Sequence, residues 1–240
     1  MRHVVVTGAN RGLGLELSRQ LLAAGDEVVA TARQPKAADA LSKLASASGG
    51  RLTVVRLDVG DPDEIGAAAL QIGERFDSVD LLVNNAGIWT APGEPDRASS
   101  GALADLRPEP VLEVLRINAL APLLVTQALA PRLARAGRAT VVNLTSGLGS
   151  IAGTAGRGNL AYAMSKAALN MLTRQLAAEL AGQGIVVVAM SPGWVATDMG
   201  GRSAPLEPAE SVHGILNVVD ALTPAQSGTF LDHTGATLPW

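Results

Sequence analysis

The chain has 240 residues, 48% of them hydrophobic and 17% charged, with a net charge of −3. That composition excludes a disordered chain and fits one large domain with a substantial core. No basic block stands out, which argues against nucleic acid as a partner, and the absence of cysteine excludes disulfides and thiolate metal sites.

His3, His213 and His233 are scattered and show no ligand spacing, so no metal is expected. Folded sequence starts almost at Met1, leaving no room for a signal peptide, and no apolar run approaches the ~20 residues that span a bilayer. These features lead to the expectation of a soluble cytoplasmic protein with no membrane partner.

Residues 3–7 are a β-branched run typical of a buried parallel strand. The run leads into Gly8-Ala9-Asn10-Arg11-Gly12-Leu13-Gly14, after which Leu13, Leu17 and Leu21 fall at helical spacing. In a strand–turn–helix, the glycines let backbone pass close to a ligand and the helix N-terminus offers free N–H groups to a pyrophosphate. A purely structural tight turn is the alternative.

The second strand, residues 27–32, ends at Arg33 with no acid. An acid at this place holds the ribose 2′-hydroxyl of NAD, whereas an arginine accommodates the 2′-phosphate of NADP. Arg11 can approach the same phosphate, so NADP(H) is expected in preference to NAD(H). Two solvated surface arginines are the other reading.

A polar helix over 37–47 precedes a third strand at 51–57, followed by Asp58 and Val59. Asp61-Pro62 reads as a helix N-cap followed by proline in the first turn. The fourth strand, 80–83, ends in Asn84-Asn85-Ala86-Gly87. Alternating strands and helices predict an α/β fold: a single domain over 1–240 with a Rossmann-type doubly wound parallel sheet, about seven strands and helices on both faces.

Residues 88–107 read as a loop that could border a substrate mouth lined by Trp89, or equally an ordinary surface excursion. A long helix from Pro108 contains Asn118 and, four residues on, Pro122. Proline has no N–H, so the Asn118 carbonyl loses its helical partner and could hold a water; a kink with only a packing role is the other reading. The fifth strand, 138–144, runs into Thr145-Ser146-Gly147, where a hydroxyl could polarise a carbonyl.

The next helix, 161–180, carries Tyr162 and Lys166 one turn apart on one face. A nearby ammonium favours the phenolate, which makes Tyr162 a candidate general acid/base. The same pair also fits a packed tyrosine beside a solvated lysine. After the sixth strand, 185–190, come Pro192-Gly193-Trp194-Val195-Ala196-Thr197 and a stretch within 198–222 expected to act as a substrate lid. Residues 209–222 within that stretch read as helix and 228–231 as a last strand.

In this order and spacing the pieces resemble the short-chain dehydrogenase/reductase family from Val4 onward, and within it the sniffer-type carbonyl reductases and C-factor-like proteins. Thr7-Gly8-x-x-x-Gly12-x-Gly14 is similar to the family's cofactor motif and Asn84-Asn85-Ala86-Gly87 to a second one. Asn118, Ser146, Tyr162 and Lys166 resemble its catalytic tetrad, and Pro192-Gly193-x-Val195-x-Thr197 its nicotinamide-side loop. One departure is that sixteen positions separate Ser146 from Tyr162, a few more than usual, which points to a small insertion within 151–160 and leaves Thr145 as a backup hydroxyl.

The resemblance implies NADP(H)-dependent reduction of a ketone or aldehyde. Tyr162 would donate the proton and Ser146 would hold the substrate oxygen. Lys166 would hold the nicotinamide ribose and depress the Tyr162 pKa, and the Asn118 carbonyl would anchor a water. Asp58 and Val59 would sit beside the adenine. Asn10, Arg11, Leu13 and the three glycines of the turn would meet the cofactor, as would Arg33, Asn85, Ala86, Gly87, Pro192, Gly193, Val195 and Thr197. Trp89, Ile151, Trp194 and Met199 would add apolar substrate contacts. The apolar helices from Pro108 and Ala161 suggest a homodimer, with a tetramer as the other possibility. The alternative function is a nucleotide-binding signalling or scaffold protein of C-factor type with incidental catalysis.

Overall fold

The computed structural model describes residues 1–93, 106–154 and 159–240. Most of the loop expected at 88–107, and part of the insertion expected within 151–160, therefore lie outside the described residues.

Seven strands pair in one sheet in the order β3-β2-β1-β4-β5-β6-β7. They are β1 (His3–Val6), β2 (Glu27–Ala32), β3 (Leu52–Arg56), β4 (Leu81–Asn84), β5 (Ala139–Leu144), β6 (Ile185–Ser191) and β7 (Phe230–Asp232). Every pairing is parallel, so the chain must return across a face between strands. The helices that flank the sheet are α1 (Gly12–Ala23), α2 (Asp39–Ala47), α3 (Pro62–Arg75), α4 (Pro108–Leu115), α5 (Ala121–Arg135), α6 (Leu160–Leu180) and α7 (Pro208–Ala221).

Alternation along each strand feeds two cores. Val4 and Val6 pack with Leu17 and Leu21 of α1 and with Val212 and Ile215 of α7. Val5 points the other way, toward Ile65 and Ile72 of α3 and Leu129 and Leu133 of α5. Burial on both faces is why the strands are β-branched runs and not alternating ones.

Asp61 caps α3 as expected, accepting from Asp63 N (2.9 Å) and Glu64 N (3.4 Å). Between α4 and α5 the helix widens into a π turn, Arg116–Leu120, and the Ala121 N–H reaches back to the Arg116 carbonyl. The π turn stands just before Pro122, which withdraws a donor from the helical ladder.

Two expectations change. Pro108–Arg135 is long and apolar enough, by length and composition alone, to cross a membrane. A core helix meets the same test, and here Val114, Val125, Leu129 and Leu133 are buried within the protein. The expected lid also divides. Helix α7 buries Val212, Ile215, Leu216 and Val219 in the first core, so only 198–207 lies outside the packed helices.

A buried polar lattice ties the sheet's C-terminal end to its helices. Asn84 Nδ2 donates to Asn143 Oδ1 (2.8 Å) across the β4–β5 register, and to Thr126 Oγ1 (3.2 Å) of α5. Asn143 Nδ2 in turn donates to Thr173 Oγ1 (2.9 Å) of α6. These buried bonds hold the strand ends in one arrangement, while Asn84 Oδ1 is buried with no partner among the described residues.

Candidate active site

A cleft of about 500 Å³ opens at the C-terminal ends of β1, β2, β4, β5 and β6. In an open parallel sheet this is where ligands bind, beside the point where strand order reverses. One wall is the glycine turn. Thr7 Oγ1 accepts from Asn85 N (3.0 Å) and Ala86 N (3.1 Å), and Asn85 Nδ2 donates to the carbonyls of Thr7 (2.7 Å) and Gly8 (3.0 Å).

Gly8 has φ +65°, and a Cβ there would stand 2.9 Å from Ala86 Cα. A Cβ on Gly14 would stand 2.5 Å from Asn85 Nδ2. The glycines thus let two motifs interlock. The first turn of α1 has no side-chain cap.

Gly8, Asn10, Arg11, Gly12, Leu13, Arg33, Asp58, Val59, Asn85, Ala86, Gly87, Pro192 and Thr197 all line the cleft. Gly14 lies behind the wall, buried against Asn85. Gly193 and Val195 face Leu206 instead of the cleft. Arg33 makes no hydrogen bond or ion pair with the described residues, whereas Arg11 Nη1 pairs with Asp198 Oδ2 at 2.8 Å. The two arginines expected at one phosphate therefore differ in what they already hold.

At the far end, the Ser146 hydroxyl stands close enough to that of Tyr162 to ease its ionisation, and it accepts from Leu148 N (3.2 Å). Lys166 Nζ donates to the Leu144 carbonyl (2.8 Å) and lies 5.5 Å from the centre of the Tyr162 ring. Asn118 does not reach the cleft with its side chain. Its Oδ1 accepts from Ile88 N (2.8 Å), and its Nδ2 donates to the Ile88 carbonyl (2.8 Å) and Ser165 Oγ (3.0 Å). Its amide is fully engaged in holding the β4 loop to α6.

The electrostatics run opposite to the expectation for tyrosine. Burial pushes the Tyr162 hydroxyl up to about 12, against a smaller pull downward from Ser146. Burial also pushes the Lys166 ammonium down to about 8. Both groups are taken out of water, and each therefore favours its neutral form. Lysine at this distance does not outweigh that desolvation, so Tyr162 is a protonated phenol across the physiological range.

Five other expected residues fall as follows. Met199 lines the cleft. Trp89 does not line the cleft but lies against the Tyr162 ring, centroids 4.7 Å apart and planes tilted 43°. Ile151 is 80% exposed and does not line the cleft. Trp194 does not line it either: its indole N–H donates to the Gly200 carbonyl (2.8 Å), which fastens the turn at 198–201 to the strand end. Thr145 lines the cleft, buried, with its hydroxyl donating to the Lys166 carbonyl (3.4 Å).

Sequence reasoning missed Asn159. It caps α6, its Oδ1 accepting from Tyr162 N (2.9 Å), while its Nδ2 donates to the Trp89 carbonyl (2.8 Å). An asparagine just ahead of the Tyr162 helix was the available signal for the cap. The bond to Trp89 had none.

A family model described as short chain dehydrogenase matches residues 2–207. The C-signal of Myxococcus xanthus is 43% identical over 165 residues, covering 68% of this chain and 93% of the relative. The NADPH-bound carbonyl reductase from chicken fatty liver superposes with a TM-score of 0.90 at 40% identity, covering 100% of this chain and 99% of that one. The carbonyl reductase Sniffer of D. melanogaster superposes with a TM-score of 0.93 at 33% identity, covering 100% of both chains.

Proposed function

The chain belongs to the short chain dehydrogenase family, an oxidoreductase family, and from that premise we propose that it reduces a ketone or aldehyde to an alcohol with NADP(H). The observation that carries this reading is a buried Tyr162 with Lys166 one turn on at the end of a glycine-walled cleft, the Ser146 hydroxyl beside it.

The cleft fits the cofactor. A turn whose glycines leave room for backbone approach, an uncapped helix start and an Arg33 unpaired among the described residues suit a dinucleotide carrying a 2′-phosphate. Arg33, with Arg11, would hold that phosphate, Asp58 and Val59 the adenine end, and Lys166 the nicotinamide ribose. Bound NADP(H) supplies or accepts the hydride.

The chain's own residues manage the proton. A carbonyl oxygen seated against both hydroxyls accepts from Ser146 and Tyr162. As that oxygen gains charge, the Tyr162 proton passes to it. Lys166, positively charged below about 8, stabilises the phenolate left behind. The Asn118 main-chain carbonyl is the acceptor for a water linking Lys166 to solvent.

Ile88, Ile117 and Met199 add apolar lining to the cleft, which suits an aromatic or alkyl carbonyl compound. Leu112, Leu120, Met164 and Met171 are exposed on the helices from Pro108 and Leu160, and we assign this face to a homodimer contact. Light scattering tests it, a monomer being the contradicting result.

NADPH oxidation with a panel of ketones, aldehydes and quinones tests the function. Likeness to the M. xanthus C-signal favours a second reading, a nucleotide-binding signalling protein. Tight NADPH binding with no turnover across the panel would favour that one. The retained Ser146 and Tyr162 argue for the enzyme.

A further inference from the structure

Two buried asparagines hold two consecutive residues of the β4 loop. Asn118 brackets the Ile88 backbone with an N–H acceptor and a carbonyl donor, both at 2.8 Å. Asn159 holds the next residue, donating to the Trp89 carbonyl at 2.8 Å while its other side-chain atom accepts from Tyr162 N at 2.9 Å. Asn159 is itself buried, and its main-chain carbonyl accepts from Ala163 N (2.9 Å). One side chain thus joins the first turn of the tyrosine helix to the loop that carries the indole. That indole lies on the Tyr162 ring at a centroid separation of 4.7 Å.

We propose that Asn159 and Trp89 act as one clamp on Tyr162: Asn159 fixes the helix start and the indole together, and the indole walls the phenol ring so that its hydroxyl points at Ser146 and away from water. Both are positioning residues, and neither needs to touch the carbonyl being reduced. This differs from a substrate-lining role for Trp89, in which the ring would matter only through what it contacts in the pocket. It follows that the acidity of Tyr162 is set from outside the tetrad, by a loop and a cap separated by seventy positions in sequence. Stripping away the wall admits water to the phenol and makes ionisation easier, because loss of hydration is the leading cause that holds its proton on.

The inference rests on the reading of Tyr162 as the proton donor, but its test needs neither cofactor nor carbonyl substrate. Tyr162 is the only tyrosine in the chain, so tyrosinate ultraviolet absorbance reports this residue alone. The purified full-length protein is titrated with alkali, and absorbance is read only over the range where circular dichroism shows the fold intact. In the wild type little or no tyrosinate forms in that range. Trp89→Ala should form it at least about one pH unit earlier, a tenfold loss of proton affinity.

Asn159→Ser keeps a good helix cap but cannot reach the Trp89 carbonyl, so it should move the titration in the same direction with the helix intact. Trp89→Phe, which restores a ring, should return it toward wild type. If Trp89→Ala does not fold, Asn159→Ser decides alone. Wild-type titration in a folded Asn159→Ser or Trp89→Ala protein would overturn the clamp. Normal carbonyl reduction by Tyr162→Phe would instead sink the proton-donor reading and leave a shifted titration standing.

Discussion

Arg11 and Asp198 face each other across the cleft and form an ion pair, Nη1 to Oδ2 at 2.8 Å. Arg11 comes from the glycine turn and Asp198 from the loop after β6, so the pair bridges two walls that a dinucleotide would lie between. Both side chains are more than two-thirds exposed, which makes the pair weak and salt-sensitive.

If Arg11 serves a cofactor phosphate, Asp198 competes with it. Asp198→Asn should therefore tighten NADPH by about two- to fivefold, the range expected of one exposed pair. Fluorescence titration of NADPH at low and moderate salt measures this, and the gain should shrink as salt is raised. Weaker NADPH binding in the variant would show that Asp198 helps to close the cleft over the cofactor instead.

Arg33 makes no hydrogen bond or ion pair among the described residues. Arg33→Asp removes a charge-assisted bond to the 2′-phosphate and adds repulsion, so NADPH affinity should fall on the order of 10- to 100-fold. NADH, which lacks that phosphate, should be little changed. Parallel dissociation constants for the two cofactors check it, and equal losses would remove Arg33 from the phosphate site.

The buried Lys166 predicts how stability varies with pH. Its folded value, about 8, lies below its ordinary 10.5. A depressed group stabilises the fold most above its unfolded value, and that contribution is lost as pH falls through the folded one. Between about pH 8 and 10 the urea unfolding free energy should accordingly rise, by up to on the order of 3 kcal/mol. Tyr162 acts in reverse. Its raised value gives a contribution that is complete below 10 and lost as pH climbs toward about 12, so stability should fall again there. Lys166→Met should flatten the rise and leave the later fall.

Much of this arrangement was legible in the letters, and the reasons are local. Runs such as residues 27–32 declare buried parallel strands, Asp61-Pro62 marks a helix start, and Pro122 foretells a disturbance in the helical ladder that the structure resolves as a π turn. The Tyr162–Lys166 pair needed only helical spacing.

The illegible parts depend on partners far apart in the chain. Nothing near Trp194 says that its indole N–H will find the Gly200 carbonyl and leave the cleft, and nothing near Ile151 says that it will stand in solvent. The shift at Tyr162 was misjudged because spacing shows a neighbouring charge but not the burial that outweighs it. Asp198 was read only as part of a lid, since its arginine partner is on another wall.

The central claim is that Tyr162 delivers the proton, and the most direct measurement is the turnover of Tyr162→Phe. The variant keeps the ring that Trp89 covers and removes only the hydroxyl. With NADPH saturating and the best carbonyl compound of the panel, its rate should fall by ~10²–10⁴-fold while NADPH affinity stays near wild type. A rate within a few-fold of wild type, with NADPH binding unchanged, would contradict the account.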